Sequence, residues 1–227
     1  MGRRMISKAD IRERLRKGDR GLHHREGQEL EFKEQFNFAG LAEYYRDFAA
    51  FANNRGGYII FGVTNSPRVA AGMSESSISM FSRLDEEAIT GDLLNTFSST
   101  IDWDQALFEI DGKWFGVFKV EAARAKPVIA KSDQGRSSEI QNGAIYYRYG
   151  GRTQRIQYGE LERLLQERIE KNNRDWHDLM SKIARTGPSN AAILDTERGL
   201  VEKGEAQVLV LDEDLVSKLK FIKQGEF

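Results

Sequence analysis

Polar and apolar residues alternate over 29-ELEFK-33, where Leu30 and Phe32 oppose Glu29, Glu31 and Lys33. That period of two predicts a half-buried strand. The spacing lengthens in 40-GLAEYYRDFAAFA-52, where Leu41, Tyr44, Tyr45, Phe48 and Phe51 line up at helical period. The helix should end at 53-NNRGG-57, because Asn and Gly accept the left-handed backbone that a chain reversal requires. Next comes 58-YIIFGV-63, nearly continuously apolar, as expected for a strand covered on both faces. A polar turn, Thr64 to Pro67, closes it. Farther on, the pattern predicts a helix over 84–99 and a hairpin over 107–120 that turns at Asp111-Gly112. Two more strands are expected at 127-PVIA-130 and 145-IYYRY-149. Upstream, 7-SKADIRERLRKG-18 predicts a short helix with Ser7 as its N-cap and Ile11 and Leu15 on one face. Downstream, a charged helix runs over 159–186 and Gly187-Pro188 marks a boundary. A small strand-plus-helix module should follow it.

These elements describe an α+β fold: a mixed β-sheet flanked by helices, with a small C-terminal α/β appendage. Three parts are expected: a basic N-terminal helix (1–22), a main domain (23–187) and the module over 188–227. Composition narrows the chemistry. The 227 residues include no cysteine, which excludes disulfides, thiolate zinc sites and cysteine nucleophiles. With three histidines, any bound metal would be held mainly by carboxylates, which favours a hard cation such as magnesium or manganese. The longest apolar run falls short of the roughly 20 residues that span a bilayer. The N-terminal arginines have no apolar stretch behind them, so a secretory signal is not expected and a cytoplasmic location is. Net charge is −1, but it is unevenly spread. Lysine and arginine far outnumber acids in the first 25 residues, and 148-RYGGRTQR-155 holds three arginines and no acid.

Three segments have the composition of a site. On a strand, Glu31 and Lys33 share a face, an E-x-K arrangement in which a carboxylate can hold a divalent cation while the lysine steadies a phosphate or the attacking water. Glu26 lies five positions earlier, and Gly27 permits a bend that could bring it to the same place. A solvated strand face fits the same pattern. In 53-NNRGG-57, Asn54, Gly56 and Gly57 could present amides to a phosphate, or simply form a tight helix-to-strand turn. In 146-YYRYGGRTQR-155, aromatics interleave with Arg148, Arg152 and Arg155, which suits backbone and stacking contacts to a nucleic acid and equally suits an amphipathic edge strand. The helix over 159–179 carries Leu161, Leu164, Leu165, Ile169 and Trp176 on one face, a packing or dimer surface.

In order and spacing, 26-EGQELEFK-33, 49-AAFANNRGGYIIFGVTN-65 and 145-IYYRYGGRTQR-155 resemble the Schlafen-type AlbA-like domain, described in bacterial proteins as a DNA-binding or ATP-binding domain. The resemblance covers about residues 20–165. It implies nucleic-acid binding, RNA before DNA, and a metal-dependent endonuclease acting on RNA such as transfer RNA or on a single-stranded nucleic acid. Glu26 and Glu31 would then bind Mg²⁺ or Mn²⁺ beside Lys33. The family's third carboxylate falls on Asn65, which offers an oxygen but no charge, so cleavage is expected to be attenuated; Asp47 or Asp85 are candidates to stand in. The alternatives are a non-catalytic nucleic-acid-binding module and a regulatory domain that binds ATP at 53–57. Eukaryotic relatives carry two such lobes and this chain has room for one. A homodimer lining one groove with two copies of Arg148, Arg152 and Arg155 is therefore expected. The resemblance also implies a setting in bacterial defence, with a partner protein of the defence system.

Overall fold

Helix α1 (Lys8–Arg14) sets Ile11 fully inside, and the short pairing of β1 (Lys17–Gly18) with β2 (Gly21–Leu22) follows it. The computed structural model describes residues 6–18, 21–195, 200–203 and 207–210. The alternating stretch forms β3 (Leu30–Lys33), with Leu30 and Phe32 buried. Asn37 caps the next turn by accepting from the Gly40 amide at 2.8 Å, and α2 (Leu41–Asn53) begins there. Strand β4 (Gly56–Phe61) runs parallel to β3, with Glu31 opposite Ile59. Helices α3 (Glu75–Ser82) and α4 (Glu86–Thr96) lead to the hairpin of β5 (Trp103–Ile110) and β6 (Lys113–Glu121). That hairpin turns where expected: Asp111 and Gly112 have φ of 51° and 74°, the left-handed pair a two-residue turn requires. The resulting four-stranded sheet has the order β3-β4-β6-β5 and is antiparallel except at β3–β4, so the fold is the mixed α+β arrangement the pattern predicts.

The sheet buries both faces. On the α2 side, Phe118 sits among the rings of Phe36, Tyr44, Phe48, Phe61, Phe81 and Trp103, with centroids 5.1–6.4 Å away. Such pairs add about 0.5–1.5 kcal/mol each beyond the area they bury. On the other side, Leu30, Phe32, Ile60 and Val117 meet Ile11 and Leu15 of the N-terminal segment. A second hairpin, β7 (Tyr146–Tyr149) with β8 (Arg152–Arg155), packs against α2.

Two sequence expectations change. Residues 127–130 are not a strand but an extended segment with a single bridge, Ala130 to Phe97. Pro127 has no N–H to give a ladder, and the buried Asn53 side chain takes the ladder's place. Its Oδ1 accepts from Val128 N at 2.6 Å and its Nδ2 donates to Val128 O and Tyr146 O at 3.0 Å. Helix α3, not anticipated from the pattern, is short and is started by Ser74, whose hydroxyl accepts from Ser77 N.

By its contacts the chain divides into two units, Met1–Arg168 and Ile169–Phe227. Helix α5 (Tyr158–Thr186) ends within the second, where β9 (Ile193–Asp195), β10 (Leu200–Lys203) and β11 (Gln207–Val210) form an antiparallel sheet in the order β11-β10-β9. The helix expected after these strands lies outside the described residues. No helix among the described residues is long and apolar enough to cross a membrane.

Candidate functional site

The period of β3 sends Glu31 and Lys33 to the α2 side of the sheet, and α2 answers with Glu43 and Asp47, one helical turn apart. The Lys33 ammonium lies 2.5 Å from Glu43, 3.5 Å from Glu31 and 3.5 Å from Asp47. Burial alone would lower the Lys33 pKa, but the carboxylates of Asp47, Glu43 and Glu31 outweigh it and raise it, so the lysine is held as a cation. For Glu31, burial followed by the Asp47 charge raises the pKa, and together they exceed the opposing pull of Arg148 and Lys33. Asp47 is 2% exposed. Its Oδ1 accepts from the Thr153 hydroxyl at 2.6 Å, while among the described residues Oδ2 accepts no hydrogen bond and faces only the lysine.

Arg148 completes this cluster from β7. It is 1% exposed and has a partner on every side. Nη2 donates to Glu31 Oε2 at 2.8 Å, Gly27 O at 2.9 Å and Leu30 O at 3.2 Å, while Nη1 donates to Thr153 Oγ1 at 3.1 Å. Its guanidinium lies 4.9 Å from the Phe51 ring centroid. Because β3 is an edge strand, its outward carbonyls and amides would otherwise lack partners. Leu30 O accepts from Gly27 N at 2.9 Å and from Arg148, and Glu26 Oε1 accepts from Phe32 N at 3.3 Å. Glu26 Oε2 is held in turn by Arg68 at 2.6 Å.

The family pattern would place a divalent cation on Glu26, Glu31 and Asn65. All four glutamate oxygens already face donors: Arg68 and Phe32 N for Glu26, Arg148 and Lys33 for Glu31. Asn65 is neutral and exposed on the loop after β4. Among the described residues no three His, Asp or Glu are placed to hold a metal ion. The donor set therefore does not fit a divalent cation. A metal at Glu31 would have to displace a guanidinium from the interior, leaving a buried charge unpaired. Of the two stand-ins, Asp85 instead caps α4, accepting from Glu87 N and Ala88 N. Asp47 does reach the cluster. Its signal in the sequence was an acid set among Tyr44, Phe48 and Phe51 on the apolar stripe of α2, since an acid is almost never fully buried unless paired. Nothing in the spacing marked Arg68 or Glu43.

The other expected sites are arranged differently. Asn54, Gly56 and Gly57 are buried. Asn54 Nδ2 donates to Arg148 O and its Oδ1 accepts from the Tyr147 hydroxyl. A Cβ at Gly57 would stand 2.4 Å from the Phe51 ring, and one at Gly56 2.6 Å from Val120 O, so the glycines allow α2, β4 and β6 to approach closely. Nor do Arg148, Arg152 and Arg155 form one strip. Cross-strand partners share a face: Arg148 pairs with Thr153 and points inward, whereas Arg152 pairs with Tyr149 on the outer face. Arg155, opposite buried Tyr146, is exposed at the end of β8.

The chain is 35% identical over 223 residues to the uncharacterized ATP-binding protein UU034 of Ureaplasma parvum serovar 3; the match covers 91% of this chain and 62% of that protein's length. Among solved structures, it resembles the DIP2311 protein of Corynebacterium diphtheriae at a TM-score of 0.43 and 17% identity, over 65% of this chain and 26% of that one. It also resembles the N-terminal domain of a RecG-related protein from Nitrosomonas europaea at 0.35 and 22%, over 59% and 86%. The model of the Schlafen, AlbA_2 family matches residues 26–157, the span that holds β3, α2, the main sheet and the β7–β8 hairpin. The chain belongs to the Schlafen, AlbA_2 family.

Proposed function

We propose that this domain binds nucleic acid, RNA before DNA, without cutting it. One observation carries the reading: the acids of β3 and α2 are neutralised from within by Lys33, Arg68 and Arg148, while the cations at the N-terminal end stay outside. Lys8, Arg12, Arg16, Lys17, Arg25 and Lys113 are all exposed there, against the exposed acids Asp10, Glu13, Glu29 and Asp111. The field offered to solvent on that face is positive, and a polyanion is the partner it attracts. Membership of the family supports the same reading. Arg152 and Arg155 add exposed cations on β8.

A second copy of the chain is proposed to cover α5. Leu165, Ile169, Trp176 and Leu179 are 44–55% exposed on this otherwise charged helix. With Asn172 and Ile183 they recur at alternating steps of four and three, the seam of a coiled coil with a single polar core position.

The test is fluorescence anisotropy on labelled transfer RNA and single-stranded DNA across a salt series, with a cleavage assay in Mn²⁺ alongside. Binding should weaken steeply with salt, and Arg25→Glu with Arg152→Glu should lower the slope by about 0.7–0.9 for each phosphate that is no longer neutralised. Salt-independent or absent binding overturns the reading. Cleavage by the wild type that Glu31→Ala abolishes would replace it with a nuclease.

A further inference from the structure

Beside α1 lies a cleft bounded by β2, the loop at 68–70 and the turn end of the β5–β6 hairpin. It encloses about 630 Å³, within the range of about 300–1,000 Å³ typical of small-molecule sites. Five cations line it, Arg12, Arg16, Lys17, Arg68 and Lys113, against two carboxylates, Glu13 and Asp111. Its floor is apolar: Leu15, Ile110 and Phe115 belong to the core on that side of the sheet.

Arg12 and Arg16 are loosely engaged, whereas Lys113 donates to Ala70 O at 2.9 Å. Arg12 meets Asp111 at 3.1 Å and Arg16 meets Glu13 at 3.2 Å, but all four side chains are at least half exposed. Such pairs contribute little and exchange readily for a stronger anion. Lys17 is exposed. Arg68 gives Nη2 to Glu26, yet its Nε is buried without a hydrogen-bond partner. A buried donor left unmade is costly, and this one belongs to a side chain that lines the cleft.

We infer that this cleft binds a nucleotide, with the phosphate among Arg16, Lys17 and Arg68 and the base against the apolar floor. Volume and lining select that class. A bare phosphate would use the cations and leave the floor wet, whereas an apolar ligand would leave the cations without purpose. A nucleotide presents both surfaces, as a free molecule or as the 5′-phosphorylated end of a strand. The site is separate from 53-NNRGG-57, whose glycines are enclosed. The cleft shares Arg12, Arg16 and Lys17 with the face proposed to bind a strand, but the two readings are tested apart, because strand binding is probed at Arg25 and Arg152, neither of which lines this cleft, and nucleotide binding is probed with AMP.

Calorimetric titration of the full chain tests it, with ATP, AMP, inorganic phosphate and one short oligonucleotide carrying either a 5′-phosphate or a 5′-hydroxyl. Two variants accompany the wild type: Lys17→Glu, and Arg16→Glu with Lys113→Glu, all at exposed positions. AMP or ATP should bind at least about tenfold more tightly than inorganic phosphate, and each variant should weaken that binding by about tenfold or more. An oligonucleotide that binds only with its 5′-phosphate assigns the site to strand ends; indifference to that phosphate assigns it to free nucleotide. The inference fails if no nucleotide binds in either form, if phosphate binds as tightly as AMP, or if both variants bind like the wild type.

Discussion

Replacing Arg148 with methionine separates two accounts of the same residue. The sequence places it in a basic, aromatic-flanked stretch that suits nucleic-acid contact, whereas the structure places it 1% exposed between β3 and α2. Arg148→Met keeps an unbranched stem over Phe51 and removes the charge and the donors. Glu31 then loses its 2.8 Å partner, Gly27 O loses its own, Leu30 O keeps only the Gly27 amide, and Thr153 keeps only its bond to Asp47. Lys33 remains, so the carboxylates are under-neutralised rather than bare. Breaking a buried pair from one side costs about 3–5 kcal/mol. At about 2–4 °C per kcal/mol for a domain of this size, the melting temperature should fall by about 10 °C. Calorimetry and urea unfolding followed by the fluorescence of buried Trp103 would measure it. RNA affinity and its salt slope should be unchanged at temperatures where the variant stays folded, because an interior guanidinium releases no counterion. A stability loss under about 1 kcal/mol, joined to a loss of RNA affinity, would refute the argument and return Arg148 to the surface role.

Three further outcomes follow from the same geometry. The raised pKa of Glu31 means that its contribution to stability is fully present below the unfolded value of 4.5 and is lost as pH rises through the folded value. Glu31→Gln should therefore gain on the wild type as urea midpoints are compared upward from pH 4, and a gap that stays constant or widens against the variant would contradict the sign. Gly57→Val puts a side chain into the Phe51 ring and should cost about 1–3 kcal/mol; equal loss of melting temperature with and without ATP shows that the glycine serves packing, whereas loss of an ATP-induced shift alone would show a ligand role. Ile169→Glu with Leu179→Glu should convert a dimer to a monomer in sedimentation equilibrium, and a wild type that is already monomeric at micromolar concentration removes the α5 seam as an interface.

Periodicity made most of the fold legible because burial acts on one side chain at a time. The alternation at Leu30 and Phe32 and the stripe on α2 each report a single face turned to the core. It failed where a side chain replaced the backbone's own pairing. At 127–130 the apolar run reads as a strand, but the amide of Asn53, far upstream, takes the ladder bonds. The candidate site was legible by the same rule and only in part. Glu31 and Lys33 could be placed on one face by counting, whereas Asp47 entered only as one of two stand-ins for Asn65, although its place on an apolar stripe was a signal for burial.

What counting cannot supply is the sign of a residue's neighbours across the fold. Arg148 lies 117 residues from Glu31, and Arg68 lies 42 from Glu26. Those two arginines decide whether the glutamates of 26-EGQELEFK-33 are open metal ligands or paired anions. A carboxylate word and an arginine word, read separately, suggest a metal site and a nucleic-acid strip. Brought together, Arg148 and Glu31 cancel one another's charge, and the exposed cations that remain are those around α1 and Arg152 and Arg155 on β8. Whether such a motif can open toward a ligand depends on whether cations such as these close on it. Removing Arg68 and Arg148 from this domain would expose acids before it completed a metal site, because Asn65, where the resemblance puts the third carboxylate, would still carry no charge.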